Sequence, residues 1–344
     1  MPAPEPRRRT ERQEKKKGEP KPSPQKRQRR NTIDKSLGRT KKLSSLEKKV
    51  AVNGAMDAAG PAPDIEDRSI TLDKAWVPFE RAGAGPAVLL VHGLLGYSFS
   101  WRHIIPRLAE QFTVYAPDLP GAGFSDSPPG MDFCLEACAR RLLRFMDATG
   151  IAHCDLLGTS HGGAVAIMAA ALDPERFRTL ILVAPVNPWA PRGKVLSILL
   201  GRVLPTPAVL GAAPRLRTLQ EFYFGRLYGD RRRVRPEAVE GYLKPLLRPD
   251  PFQYALGVLR SWNRDLRLLK SVLPRISRIP TLLVWGSRDG AVDPASAIPL
   301  RQQFEDCRLR VLAGVGHLPY EEAREEFNQA VLDFLGRAER TASH

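Results

Sequence analysis

The chain has 344 residues, of which 43% are hydrophobic and 26% are charged. This composition allows one large globular domain with a sizeable buried core, and it excludes collagen-like, coiled-coil and wholly disordered proteins. Lys and Arg outnumber Asp and Glu by 53 to 37, and the resulting net charge of +16 suggests an anionic partner for the whole chain.

Most of the positive charge lies in the first 50 residues. They carry 18 Lys or Arg and 6 Asp or Glu, a net +12, whereas the remaining 294 residues hold 35 and 31, a net +4. Because residues 1–64 offer too little apolar surface to offset chain entropy, they are predicted to form a disordered basic extension. A solvated extension is the preferred interpretation, and contact of residues 7–49 with nucleic acid or a membrane surface is the alternative. Translation from Met56 would remove the extension and leave the same net +4.

The sequence shows no hydrophobic secretion signal, and no apolar run approaches the roughly 18 residues of a membrane span. The four cysteines have neither a CxxC pattern nor a metal-ligand spacing; they are Cys134, Cys138, Cys154 and Cys307. Reduced thiols in a cytoplasmic protein, with no metal and no cofactor, are therefore predicted.

From about residue 65 onward, short β-rich apolar runs alternate with longer helical stretches. This alternation predicts a mostly parallel sheet covered by helices on both faces. Six runs are interpreted as buried strands, at 87–91, 113–116, 154–157, 179–184, 281–285 and 309–312. Two earlier segments, around 69–72 and 76–81, are expected to pair as an antiparallel opening, which makes an eight-stranded α/β sheet.

An insertion over residues 185–256 follows the sixth strand and is much longer than a crossover of a dozen or so residues. Its helical patterns lie at 193–203, 214–228 and 236–247. Ligands bind at the carboxyl edge of open α/β sheets, so the insertion is interpreted as a helical cap over that edge. The core is then divided into 65–184 and 257–338, with a tail at 339–344. A solvent-facing crossover with no substrate role is the alternative.

The sharpest motif is the G-x-S-x-G pentapeptide Gly158-Thr159-Ser160-His161-Gly162, between a predicted strand and a predicted helix. A serine on such a turn needs a strained backbone, and the flanking glycines remove side chains that would collide there. The turn would expose the Ser160 hydroxyl above the sheet and direct a helix N-terminus at developing negative charge. Ser160 is therefore predicted to be a nucleophile.

A serine nucleophile needs a base within reach. Among six histidines, His317 follows the last predicted strand and so emerges at the same carboxyl edge as Ser160, which predicts a general base. A carboxylate must hold the tautomer of that histidine. The loop after the preceding strand offers Asp289 and Asp293; Asp289 comes first and is the predicted partner, while Asp293 beside Pro294 is predicted to cap a helix.

The chain order Ser160, Asp289, His317 resembles that of the α/β-hydrolase superfamily, in its cap-bearing serine hydrolase branch. Two more segments support the resemblance, which covers about residues 69–338. Residues 91–96 (VHGLLG) resemble the oxyanion loop of the family, and residues 118–126 (DLPGAGFSD) resemble its D-x-P-G-x-G-x-S loop.

The resemblance implies roles for further residues. The backbone N–H groups of Leu94 and His161 would form the oxyanion hole, and His92 would be structural. Gly121 and Gly123 would be turn glycines. Epoxide hydrolases and haloalkane dehalogenases of the same branch attack with an aspartate, so Ser160 argues against both activities.

A serine hydrolase of carboxylic esters, esterase-like or lipase-like and acting on a small apolar ester or aryl substrate, is the prediction. Phe222, Tyr223 and Trp262 are substrate-pocket candidates, although packing within the cap would explain the same residues. The runner-up is a meta-cleavage-product C–C hydrolase, in which Arg260 and Trp262 would bind a dienone carboxylate; Thr159 stands where those enzymes usually present asparagine. A non-catalytic binding protein of the same fold is the alternative from another class. The oligomeric state is not predicted.

Overall fold

The computed structural model describes residues 64–190, 211–212 and 215–342. Nearly all of the predicted basic extension and the predicted helix at 193–203 lie outside these residues. Eight strands lie within them: β1 Ile65–Leu72, β2 Ala75–Ala82, β3 Ala87–Val91, β4 Thr113–Pro117, β5 Cys154–Thr159, β6 Phe177–Val183, β7 Thr281–Gly286 and β8 Cys307–Leu312.

These strands form one sheet in the order β1-β2-β4-β3-β5-β6-β7-β8. Strand β2 is antiparallel to both of its neighbours, and all pairs from β4 to β8 are parallel. The predicted eight-stranded, mostly parallel α/β sheet is thereby confirmed. The prediction began the first strand at residue 69, four residues late, because Ile65–Leu72 is an exposed edge strand whose polar side chains carry no buried apolar pattern.

The sheet is covered on both faces, which explains its continuous apolar strands. Leu156 on β5 packs into one hydrophobic core, and the next residue, Leu157, packs into the other. Because successive side chains on a strand point to opposite faces, a strand buried on both sides needs apolar residues throughout.

The α-helices of the described residues lie between and after the strands. In chain order they are α1 Ile105–Leu108, α2 Leu135–Thr149, α3 Ser160–Leu172, α4 Arg217–Gly225, α5 Pro236–Leu243, α6 Asp250–Val272, α7 Ala297–Arg301, α8 Pro319–Glu322 and α9 Arg324–Ala342. Short 3-10 helices lie at Ser98–Trp101, Pro174–Arg176, Arg231–Arg233, Pro245–Leu247, Leu273–Ile276 and Pro294–Ser296. Nowhere in the described segments is a helix both long enough and apolar enough to span a bilayer.

Helices α4 and α5 lie inside the predicted cap, after β6. The predicted end of the cap at residue 256 falls inside α6, which continues without a break to Val272. Buried side chains recur on one side of this helix on both sides of that boundary, at Tyr254, Val258 and Leu269. Helix α6 therefore begins in the cap region and ends against the core, and a division of the chain at residue 256 does not coincide with the end of an element.

Candidate active site

Ser160 lies at the sharp turn between β5 and α3. Its φ of +53° is in the left-handed region, which is strained for a residue with a side chain. A Cβ on Gly158 would lie 2.5 Å from the backbone oxygen of Gly162, and a Cβ on Gly162 would lie 2.2 Å from that of His92. Both glycines are therefore required by close backbone approach, and the turn leaves Ser160 partly exposed at the carboxyl edge of the sheet.

The loop after β3 lies against this turn. A Cβ on Gly93 would come within 3.2 Å of the Ser160 Cβ, so Leu94 follows a residue that touches the nucleophile turn. The loop reverses at Leu95, whose φ is +62°, and the Gly96 N–H donates to the Gly93 oxygen at 3.0 Å.

The N–H groups predicted to bind an oxyanion are those of Leu94 and His161. Among the described residues, neither group donates a hydrogen bond to a protein acceptor. Within those residues both N–H groups are therefore open to an acceptor; His161 directly follows Ser160, and Leu94 follows Gly93, which lies against the turn.

His92 holds the loop from inside. Its Nδ1 is 2.8 Å from the Gly93 oxygen, and its Nε2 accepts from the Leu119 N–H at 2.9 Å. Complete burial lowers the pKa of His92 to about 4, so the ring is neutral near pH 7. These contacts agree with the structural role implied for His92.

Asp289 and His317 form a buried hydrogen-bonded pair. The His317 Nδ1 lies 2.7 Å from Asp289 Oδ2, and Asp289 Oδ1 accepts the N–H groups of Ala291 and Val292 at 2.7 and 2.9 Å. Nδ1 therefore carries the proton, which leaves Nε2 free to act as a base. Asp293 instead accepts from the Ala295 N–H at 3.0 Å and caps the Pro294–Ser296 turn, as predicted.

Sheet register brings these residues to one edge. Thr159, Val183 and Val284 are register partners across β5, β6 and β7, and Gly286 is level with Leu312 on β8. The loops that follow β5, β7 and β8 therefore leave the sheet side by side. In the part of the chain that the structure describes, no hydrogen bond joins the Ser160 hydroxyl to His317.

A buried carboxylate joins the cap region to the histidine loop. Glu322 accepts the Gly316 N–H at 2.7 Å, and the Gly229 and Asp230 N–H groups at 2.9 Å each. Sequence reasoning missed Glu322, because all three donors are backbone groups and two of them lie more than 90 residues away.

A backbone hydrogen bond of His317 also connects the histidine loop to the cap region. The His317 N–H donates to the Leu227 oxygen at 2.6 Å, in the segment that follows helix α4. A Cβ on Gly316 would lie 2.3 Å from the same oxygen, so the segment and the histidine loop are in close backbone contact. The position of His317 is therefore tied to the cap region as well as to Asp289.

A small apolar cavity lies beside His161. Trp262, one of the pocket candidates, lines it together with Leu135, Val186 and Val258. The His161 ring is 3.0 Å from the Tyr254 hydroxyl, and complete burial lowers the pKa of His161 to about 3. The contact of Tyr254 with His161 was not predicted, because the sequence pattern around Tyr254 is typical of a helix side that packs in the core.

The other two pocket candidates lie in the cap region. Phe222 and Tyr223 are about half exposed on helix α4, and neither lines the cavity beside His161. The guanidinium groups of Arg226 and Arg231 lie 5.7 and 5.1 Å from the centre of the Phe222 ring. Trp262 therefore lies beside His161, the residue that follows Ser160, and the pocket role of Phe222 and Tyr223 stays a prediction.

Within the described ranges, no group of three or more His, Cys, Asp or Glu side chains is arranged to hold a metal ion.

The two glycines implied to be turn residues do have positive φ, +87° at Gly121 and +56° at Gly123.

Comparisons with known proteins agree on the family. A family model for the alpha/beta hydrolase fold matches residues 86–324. The chain is 28% identical over 287 residues to haloalkane dehalogenase 2 of Mycobacterium tuberculosis, covering 80% of this chain and 98% of that protein. It is 29% identical over 268 residues to 2-hydroxy-6-oxo-2,4-heptadienoate hydrolase of Pseudomonas putida, covering 74% and 90%.

A solved structure shares the fold. The 2-hydroxy-6-oxo-6-phenylhexa-2,4-dienoate hydrolase of Rhodococcus superposes with a TM-score of 0.67 at 24% identity, covering 79% of this chain and 99% of that one. The sheet order, the turn at Ser160 and the family match lead to one conclusion: this chain belongs to the alpha/beta hydrolase fold family.

Proposed function

We propose that this protein is a serine hydrolase that cleaves a small apolar or aryl carboxylic ester through an acyl-enzyme. Ser160 is the nucleophile, His317 the general base, and Asp289 the carboxylate that orients His317. The observation that carries the proposal is the buried Asp289–His317 hydrogen bond of 2.7 Å at the sheet edge where Ser160 occupies a strained turn.

The reaction would proceed in two halves. His317 Nε2 takes the hydroxyl proton as Ser160 Oγ bonds to the ester carbonyl carbon, and the resulting oxyanion accepts hydrogen bonds from the Leu94 and His161 N–H groups. The intermediate collapses, and the leaving alkoxide receives the proton from His317. Water, deprotonated by the same imidazole, then attacks the acyl carbon; the bond to Ser160 Oγ breaks, Oγ takes the proton back from His317, and the acid leaves.

The similarity to a haloalkane dehalogenase does not change the proposal. Displacement of a halide by Ser160 Oγ would form an ether, which water cannot cleave by attack on a carbonyl carbon. A carboxylate nucleophile forms an ester, which water can cleave. The serine at this position therefore favours substrates that already contain a carbonyl carbon.

A C–C bond hydrolase is the second candidate. It is favoured by the 29% identity to the heptadienoate hydrolase, which covers 90% of that protein. Such a substrate also has a carbonyl carbon for Ser160 to approach, but its leaving group is a carbon that must be protonated. Thr159, which precedes the nucleophile, remains the feature that distinguishes this chain from the usual pattern of that group.

One comparison of variants tests both candidates. The wild-type protein should hydrolyse p-nitrophenyl esters and react with a fluorophosphonate probe, and Ser160→Ala should abolish both. Ser271→Ala is a matched control, because Ser271 is an exposed serine whose hydroxyl bonds to the Leu268 oxygen of its own helix. Equal labelling of Ser160→Ala and wild type would contradict the nucleophile assignment. Turnover of a dienone without turnover of esters would favour the C–C hydrolase.

A further inference from the structure

The net positive charge of residues 51–344 is concentrated in one segment of the cap region. Residues 215–235 contain seven arginines and two acidic residues, whereas the rest of 51–344 contains 28 Lys or Arg and 29 Asp or Glu. The net charge of residues 51–344 without this segment is therefore close to zero. A local concentration of this kind produces a directional field, which orients the protein toward an anionic surface.

The same segment exposes large apolar side chains. Leu216, Leu219, Phe222 and Tyr223 form what we call the cap strip, and their exposed fractions are 47%, 59%, 53% and 51%. Their spacings of three and four residues place them along one side of helix α4. Four of the nine exposed large hydrophobic residues of the described chain lie in these eight positions.

The opposite side of α4 packs inward. Phe224 is 6% exposed, and its ring lies 5.5 Å from that of Tyr228 and 4.9 Å from that of Tyr242. The helix is therefore held to the body by one aromatic side while the cap strip faces outward. Within the described residues, packing leaves about half of each cap-strip side chain exposed.

Two arginines lie against the cap strip, and two more exposed arginines follow them in the chain. Arg226 and Arg231 lie over Phe222, and both are exposed, as are Arg232 and Arg233. Arg232 is paired with Asp230 at 2.7 Å, and Arg233 lies 3.7 Å from Glu322, which leaves Arg226 and Arg231 beside the strip. An apolar strip bordered by guanidinium groups matches the layering of a lipid surface, in which phosphates lie outside and acyl chains begin beneath them.

We propose that the cap strip docks on an anionic phospholipid bilayer, with Leu216, Leu219, Phe222 and Tyr223 entering the headgroup and acyl boundary and the arginines binding lipid phosphates. A second copy of the chain would bring one arginine cluster against another. Nucleic acid would bind the arginines but leave the two leucines in water. An anionic bilayer accommodates both features.

Docking there would place the candidate active site next to the membrane. Leu227, two residues after α4 ends, accepts the His317 N–H at 2.6 Å. Esters dissolved in the bilayer would thus be presented close to the catalytic loop. The docking surface stands on its own geometry, and vesicle binding is expected even if the bond cleaved by Ser160 is not an ester.

Vesicle flotation tests the proposal with the full chain carrying Ser160→Ala, which prevents hydrolysis of the lipids. At physiological ionic strength we expect binding to vesicles of phosphatidylglycerol and phosphatidylcholine, and much weaker binding to phosphatidylcholine alone. Leu216→Ser combined with Leu219→Ser should lower the partition coefficient at least about tenfold, because two buried aliphatic side chains are lost from the interface. Ile298→Ser, at a residue 53% exposed on α7, is the matched control and should bind as the parent does.

The basic extension is present in every variant, so the difference between variants isolates the cap strip. Equal binding by the double serine variant would overturn the proposal, because the extension or charge alone would then explain attachment. A drop in the thermal unfolding temperature of that variant, with unchanged vesicle binding, would show that the chain itself covers the strip. Oligonucleotide binding that is the same in the parent and the double serine variant, without vesicle binding by either protein, would overturn the proposal and assign the surface to nucleic acid.

Discussion

The turn that carries Ser160 (residues 158–162) and helix α4 differ in how tightly the surrounding atoms pack against the backbone. In the turn, backbone approaches backbone so closely that a single Cβ at Gly162 would lie 2.2 Å from an oxygen atom. At the end of α4, a Cβ on Gly225 would meet nothing within 4 Å. Residue choice is thus dictated by hard sterics in the turn, whereas on α4 it is constrained on the inward side only.

This difference shows how the fold separates chemistry from access. The sheet edge fixes Ser160, Asp289 and His317 through strand register and tight loops, which tolerate little change. The cap region contacts the histidine loop directly through the Leu227 oxygen, and it contacts Glu322, which also binds that loop, through the Gly229 and Asp230 N–H groups; it also exposes the cap strip. Substitutions on the exposed side of the cap region should therefore affect access of the substrate more than they affect the geometry of the candidate active site.

The largest effect should come from Gly162→Ala. The new methyl group would collide with the backbone oxygens of His92 and Val91, neither of which can rotate away, so we expect a loss of about 3 kcal/mol or more in the free energy of unfolding. Urea denaturation followed by circular dichroism measures this quantity. Gly225→Ala in α4 is the control and should change stability by less than about 1 kcal/mol. Similar losses in both variants would remove the contrast between the two regions.

Within α4, two phenylalanines provide a matched pair. Phe224→Ala should cost about 3 kcal/mol, because it removes a ring that is 6% exposed and packed against Tyr228 and Tyr242. Phe222→Ala should cost less than about 1 kcal/mol, since Phe222 is 53% exposed. Thermal or urea denaturation compares them directly. A costly Phe222→Ala would mean that the ring is covered in solution.

Glu322→Gln should weaken the join between the cap region and the histidine loop. The amide NH2 would replace one of the two acceptor oxygens and would face at least one of the Gly229, Asp230 and Gly316 N–H groups, and the charge would be lost, so we expect a cost of about 2 kcal/mol together with a lower kcat/KM. Glu326→Gln, at an exposed position on α9, should be nearly neutral. If the Glu322 variant lost neither stability nor activity, the join would not position His317.

The smallest effect concerns pH and a carboxyl group on β2. Burial, reinforced by the charges of Asp67 and Asp118, raises the pKa of Glu80 from 4.5 to about 7. Between these values the unfolded chain is ionised while the folded protein holds the proton, so Glu80 makes the free energy of unfolding fall as pH rises from about 4.5 to 7.

Glu80→Gln should remove this dependence. We expect the variant to be more stable than wild type at pH 8 by about 1 kcal/mol, after allowance for partial exposure, with the difference vanishing below about pH 4. Urea denaturation across this pH range measures it, and Glu110→Gln at an exposed position is the control. A constant difference at every pH would mean that Glu80 is not protonated in the folded protein.

Much of the fold and part of the candidate site could be predicted from the sequence. The parallel strands were found because a strand buried on both faces must be apolar throughout, as at Leu156 and Leu157. The exposed start of β1 and the continuation of α6 past residue 256 were not found. Edge strands carry little apolar pattern, and an unbroken helix gives no local signal that it crosses from one structural unit to another.

The sequence by itself determined the G-x-S-x-G turn, the order of Ser160, Asp289 and His317, and the place of each after a strand, because these depend on short-range backbone sterics and on strand periodicity. Only the tertiary structure decided that Asp289 is hydrogen-bonded to His317, that Glu322 and Leu227 bind the histidine loop, and that Phe222 and Tyr223 are about half exposed. Those contacts join residues far apart in the chain. The same holds for charge: +16 is a property of the sequence, but only the fold shows that the cap arginines border an exposed apolar strip.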